Sequence, residues 1–167
     1  MRVTDVCTLI DDAICIAAFF LCICRMLYRL RRANQRWRTY PVFLLNENRW
    51  RAQRHGMEQG LVDFGKGEIV PFQLLLEELF MLLEEDANHF DCVKEIQHAQ
   101  TIVARGTSAD RQLKRYHSSI ETGLSNRDAL IAVVDSIIEE TQALPSLEHD
   151  EQKLDPVLQT DHAQTKS

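Results

Sequence analysis

Twelve apolar residues follow one another from Ala13 to Cys24, and the chain then turns abruptly to arginine at Arg25, Arg29, Arg31 and Arg32. The order Thr8-Leu9-Ile10-Asp11 fits a capping box, with the hydroxyl on the third amide and the acid reaching back. Together these predict a helix from Thr8 through about Ala33. Its first half is apolar all round, as in a helix surrounded by protein. Its second half alternates arginine with Met26, Leu27, Tyr28 and Leu30, so one face meets a core and the other a polar space. A first helix this apolar is out of place on the surface of a small bundle, which points to missing surroundings.

Further along, Tyr40-Pro41 breaks the chain, and a second helix is predicted over Val42 to His55, closed by Gly56. Leu61 to Phe64, the turn Gly65-Lys66-Gly67 and Glu68 to Val70 predict a short β-hairpin. Pro71, as the first helical residue, starts a third helix with Leu74, Leu75, Leu79, Leu82 and Leu83 as its apolar stripe. A fourth helix spans about Cys92 to Ala104 and closes at Arg105-Gly106. Thr107-Ser108-Ala109-Asp110 is a capping box for a fifth, which Gly123 ends. Ser125-Asn126-Arg127-Asp128 caps a sixth, whose Leu130, Val133, Val134, Ile137 and Ile138 form an apolar face. After Pro145 the periodicity vanishes. The expected organisation is one unit over residues 1–145 and a disordered tail over 146–167. The fold class is mainly α, about six helices with one short hairpin, and the strand sequence is too scant for a sheet of its own.

Composition changes this picture little: 45% hydrophobic and 26% charged residues favour neither disorder nor a membrane class. The apolar run is shorter than the roughly twenty residues a membrane span needs. Asp5, Asp11 and Asp12 precede it where a signal peptide carries positive charge. No membrane partner is expected. The five cysteines, Cys7, Cys15, Cys22, Cys24 and Cys92, form no CxxC pair and read as small buried hydrophobes in a reducing, cytoplasmic setting.

Charge is more informative. The formal net charge is -6, yet Arg25 to Arg54 holds nine arginines, no lysine and one acid, Glu47. Net acidity argues against a nucleic-acid partner, because most of the surface would repel phosphates. Arginine without lysine suggests planar forks that grip carboxylates or phosphates two oxygens at a time. Three explanations are open: a solvated helix face with structural ion pairs, a polyanion or membrane-surface patch, and a phosphate or carboxylate pocket. In the pocket reading Arg49 and Arg54 bracket the ligand. Five residues apart on a helix they point about 140° apart. They therefore embrace a larger anion such as a triphosphate, or one binds while the other braces the fold. Other candidates are weaker. The six histidines lack HExxH or triad context, Glu77-Glu78 and Glu84-Glu85-Asp86 belong to a solvated face, and Gly65-Lys66-Gly67 is a turn without the GxxxxGK[ST] pattern.

The order of three segments is familiar. Arg2-Val3-Thr4-Asp5-Val6-Cys7-Thr8 comes first, then Asn46 to Gly56 with Asn48-Arg49-Trp50-Arg51-Ala52-Gln53-Arg54 at its centre, then Ala104 to Gln112. In register these resemble the C-terminal part of the bacterial glutamate–cysteine ligase type 2 group of carboxylate–amine ligases, over about residues 1–143. The resemblance implies the C-terminal fragment of an α+β, glutamine-synthetase-like ligase fold. It implies that ATP and Mg²⁺ phosphorylate a small-molecule carboxylate, typically glutamate's, and that an amine displaces the phosphate to form an amide.

It also implies site residues. Arg2 and Asp5 match the family's Glu-x-Arg-x-x-Asp pattern, whose glutamate is a metal ligand and whose arginine contacts substrate or phosphate. Arg49 and Arg54 match the second arginine motif, beside Asn48 and Gly56. Arg2, Arg49 and Arg54 are thus the expected substrate or phosphate contacts, with Asp5 and Asn48 in support, and no catalytic residue is assigned. Met1 stands at the x of Glu-x-Arg, so the motif's glutamate is not present, and most of the family's sheet and acidic ligands lie upstream. No metal ligand is expected in this chain. The expectation is a ligase portion inactive alone; the competing one is a non-enzymatic helical remnant that binds a partner or itself through residues 13–24.

Overall fold

The computed structural model describes residues 6–146. Six helices and one hairpin make up this span: α1 (Ile10–Arg32), α2 (Val42–His55), β1 (Leu61–Asp63), β2 (Glu68–Val70), α3 (Phe72–His89), α4 (Val93–Arg105), α5 (Ser108–Glu121) and α6 (Asn126–Gln142). The mainly helical class with a single antiparallel hairpin is as expected. The tail from 147 onward lies outside the described residues, as do Arg2 and Asp5.

Small side chains let α1 sit close to its neighbours. Ala18 and Cys22 of α1 meet Leu83 and Ala87 of α3 and Ile96 of α4, and Cys15 meets Leu76 and Ala99. Phe19 and Phe80 stack at 6.0 Å between the two clusters. Burial pushes the Cys15 and Cys22 thiols up to about 12, so both act as apolar filling. Cys24 departs from the expectation of buried cysteines. It faces solvent, because it stands about 160° round the helix from Cys22, modulo its turn. Cys15, Cys22, Cys24 and Cys92 form no disulfide.

Four further expectations are corrected. The α1 capping box does not form: Leu9 is the N-cap and makes no side-chain cap bond. The Thr8 hydroxyl is engaged by Glu140 and by Arg111, 3.1 Å away, partners that a local motif cannot foresee. The stripe of α3 is rotated from the expected one. Leu76, Leu83, Asp86 and Ala87 are its buried residues, whereas Leu74 and Leu82 are 53% and 39% exposed. Asp86 therefore lies in the core rather than on a solvated face. Pro71 is the N-cap of α3 rather than its first residue, with its carbonyl already accepting from Leu74 and Leu75. The apolar face of α6 forms only in part, since Leu130, Val134 and Ile138 stay about half exposed.

The hairpin pairs Leu61 with Val70, Val62 with Ile69 and Asp63 with Glu68. Gly60 closes its open end at φ +66°, and a Cβ there would lie 2.3 Å from the Val70 carbonyl oxygen. Left-handed backbone and a clash with main chain act together at this position. Gly60→Ala is expected to cost about 2–3 kcal/mol. Thermal denaturation of the variant checks this, and an unchanged melting temperature would refute the packing at the hairpin base.

Candidate functional site

Seven of the nine arginines in the belt separate into four groups once folded. Arg25 and Arg29, one turn apart on α1, converge on Asp86 of α3. Arg29 forms a fork to both carboxylate oxygens at 3.0 and 2.7 Å, Arg25 binds one of them, and Arg29 also reaches Glu85 at 2.7 Å. Burial disfavours the charged form of Asp86, but hydrogen bonds from Arg29 and Arg25 outweigh it and hold the carboxyl below its usual range. These two arginines are structural.

Arg51 is structural as well. From α2 it donates to the carbonyls of Gly60 and Gln59 at 3.3 and 3.1 Å. Asn48, one turn earlier, accepts from the Val62 amide at 2.7 Å and donates to the Val62 carbonyl at 2.9 Å. Its carboxamide thus mimics a neighbouring strand and pins α2 to β1. Asn48 thereby fixes α2 against the hairpin.

Arg36 and Arg38 lie on the loop between α1 and α2. They line a cleft of about 840 Å³ bounded by that loop, Asn48, the hairpin and α3. A Cβ on Gly65 would fall 2.8 Å from the Arg38 guanidinium, so the bare turn is what lets Arg38 lie against it. Tyr40 and Phe64, with ring centres 4.9 Å apart, close one end of the cleft. Sequence reasoning counted these two arginines in the belt and did not single them out. Their alternation with Trp37 ahead of a chain break is the signal that was there to read.

Arg49 and Arg54 form the fourth group. Asn48 and Arg51 aim at the hairpin; Arg49 lies about 100° or more from both, whereas Arg54 lies about 120° from Asn48 and about 60° from Arg51, so the two flank the outward face of α2 from opposite sides. Both are exposed, and neither makes an ion pair with a described residue. Phe43 and Trp50, 69% and 53% exposed, stand between them on the same face. The structure does not bring this face into the cleft lined by Arg36 and Arg38. Arg36 and Arg38 thus line the cleft, and Arg49 and Arg54 do not.

The segment Ala104 to Gln112 turns out to be a junction. Arg105 binds both oxygens of Asp12 at 2.7 Å, and His98 holds one of them at 2.9 Å. Beyond Gly106, Thr107 and Asp110 complete the capping box of α5. Arg111 forks onto Glu140 of α6 at 2.8 and 2.9 Å. The hydrogen bonds from Arg111, opposed by burial and aided by Thr8, hold the Glu140 carboxyl below its usual range. The two arginines of this segment tie α1 to α4 and α5 to α6. Among the described residues no group of three or more His, Cys, Asp or Glu side chains is placed to hold a metal ion.

Comparison with known proteins matches this chain to one family. The sequence model of glutamate–cysteine ligase family 2 (GCS2) matches residues 1–136. A Rhodospirillum rubrum protein with the name "Putative glutamate--cysteine ligase 2" is 57% identical over 143 residues, covering 86% of this chain and 37% of the relative. Proteins of the same name from Jannaschia sp. and Paracoccus denitrificans are 45% and 41% identical over 139 residues, with 36% and 37% of their own lengths covered. The chain thus spans little more than a third of the length of these relatives. No solved structure matches it.

Proposed function

Because this chain belongs to glutamate–cysteine ligase family 2, we propose that it is the C-terminal part of an ATP-dependent carboxylate–amine ligase. In this reading the whole protein phosphorylates a small-molecule carboxylate with ATP and joins it to an amine. The observation that carries it is the family match running through both arginine segments, with Arg49 and Arg54 both exposed on α2. Paired guanidinium forks suit an anion that carries several oxygens, and a phosphoryl group gathers charge on its oxygens as it transfers. This chain supplies arginine to that site: Arg49 and Arg54 from α2, and Arg2, with Asp5 beside it, from the segment ahead of the described residues. Asn48 holds α2 in place.

The residues described do not fit Mg²⁺, which takes oxygen ligands converging from several elements. A two-metal phosphoryl-transfer site needs carboxylates from elsewhere in the fold, so the chain alone is expected to be inactive. Cys15, Cys22, Cys24 and Cys92, none of them in a disulfide, fit a cytoplasmic enzyme. The competing reading, a non-enzymatic helical interaction protein, draws on the apolar face that α1 leaves bare.

ADP release with ATP, Mg²⁺, glutamate and a panel of amino acids distinguishes the two. The isolated chain is expected to match the blank. The chain fused behind the unmatched segment of the Rhodospirillum rubrum relative is expected to turn over. A silent fusion that folds would overturn the ligase reading, and turnover by the isolated chain would overturn the requirement for a second part.

A further inference from the structure

The helix α1 has two faces, and only one of them is used. Asp12, Cys15, Ala18, Cys22 and Met26 are buried against α3 and α4. On the other side Ala17, Phe20, Leu21, Cys24, Leu27 and Tyr28 recur at helical spacing and face solvent, Phe20 at 50% and Tyr28 at 59% exposure. Contiguous apolar surface of this kind marks a contact. The helix cannot roll to hide it, because ion pairs fix its rotation at both ends. Arg105 and His98 hold Asp12 near the start, and Arg25 and Arg29 hold Asp86 near the end.

We propose that this outward face of α1 is the seat for the part of the ligase fold that the relatives carry beyond the matched third of their length. The inference rests on family membership and is independent of catalysis. Three observations choose this occupant. The relatives are nearly three times as long as the stretch they share with this chain. The bare face lies wholly within the matched residues, whereas the comparable face on α6 runs past their end at 136. Ala17 and Cys24 are small enough to let a partner backbone approach between Phe20, Leu21, Leu27 and Tyr28, as knobs and holes in a packed interface require. Arg31 and Arg36 rim a hollow of about 390 Å³ where the stripe ends at Leu27 and Trp37, giving the apolar seat a polar border.

A bilayer is the other apolar surface available. α1, 23 residues long with an 18-residue stretch of mean hydropathy 1.9, is the one described helix long and apolar enough to cross a membrane. Spanning would draw Asp12 and the arginine partners of Asp86 out of their pairs into hydrocarbon, which is costly. A protein partner covers the stripe and leaves the pairs intact.

The test mixes the full chain with the separately produced unmatched segment of the Rhodospirillum rubrum relative. Size-exclusion chromatography with light scattering is expected to show a one-to-one complex, and the segment is expected to displace any copies of the chain bound to one another. Cys24 should react with a maleimide in the free chain and be protected at least tenfold in the complex. Phe20→Glu and Leu27→Glu should weaken binding at least tenfold, while Val134→Glu on the exposed face of α6 should leave it unchanged. Three outcomes overturn the proposal: no complex, Cys24 equally reactive with and without the segment, or partition of the chain into phosphatidylcholine–phosphatidylglycerol vesicles instead. If the complex forms and the fused ligase is silent, the interface stands and the assigned reaction falls.

Discussion

Asp86→Ala is expected to destabilise the chain by about 3 kcal/mol, lowering the melting temperature by roughly 10 °C. The side chain is completely buried, and the substitution leaves the two guanidinium groups only the exposed Glu85 to pair with. Both arginines reach solvent at their tips, which keeps the cost at the low end for a broken buried pair. Replacing Arg25, Arg29 and Asp86 together by Met, Leu and Leu should recover most of the loss, because the desolvation cost goes with the charges. If the triple variant is no better than Asp86→Ala, the deficit comes from packing and not from stranded charge.

The same pair sets an acid limit. Asp86 and Glu140 both titrate below their usual range in the folded chain, so the folded state gives up its protons more readily than the unfolded one. Their stabilisation is complete above the ordinary carboxylate range, about pH 4, and is lost as pH falls through the lower folded values. Melting temperature should therefore hold level through neutral pH and drop below about pH 4. Asp86→Asn should flatten that drop, since one of the two titrating groups is gone.

These interactions also show why part of the fold was legible in the sequence and part was not. Local signals carried α2, the hairpin and the last three helices, because Gly56, Thr107 and Ser125 act within a few residues of themselves. The face of α3 was not legible. Leu74, Leu75, Leu76, Leu79, Leu82 and Leu83 fit two overlapping stripes, and the partner helices choose between them. Asp86 ends the acidic run Glu84-Glu85-Asp86, and its burial is set by two arginines some sixty residues earlier. Thr8 was taken for a cap because its true partners, Arg111 and Glu140, are more than a hundred residues away. The arginine count was readable; its division among clamp, tether, cleft and outward face was not, since each destination is a tertiary contact.

That division makes the motif Asn48 to Arg54 separable by experiment. In the fused ligase, Arg49→Ala is expected to lower kcat/KM about 10²–10³-fold, the loss seen when one donor to a charged transition state is removed. Arg54→Ala should do likewise for its share of the same anion. Neither should move the melting temperature, because neither side chain pairs with a described residue. Arg49→Lys should recover little activity, since an ammonium cannot reproduce a two-pronged grip. Arg51→Ala and Asn48→Ala should behave in the opposite way: both release α2 from the hairpin and lower thermal stability, and any kinetic loss follows from that release. Steady-state kinetics and thermal denaturation on the same five preparations decide the matter. Wild-type kinetics in Arg49→Ala and Arg54→Ala would remove both from the site and leave Arg36 and Arg38, on the cleft side of α2, as the arginines placed to hold an anion.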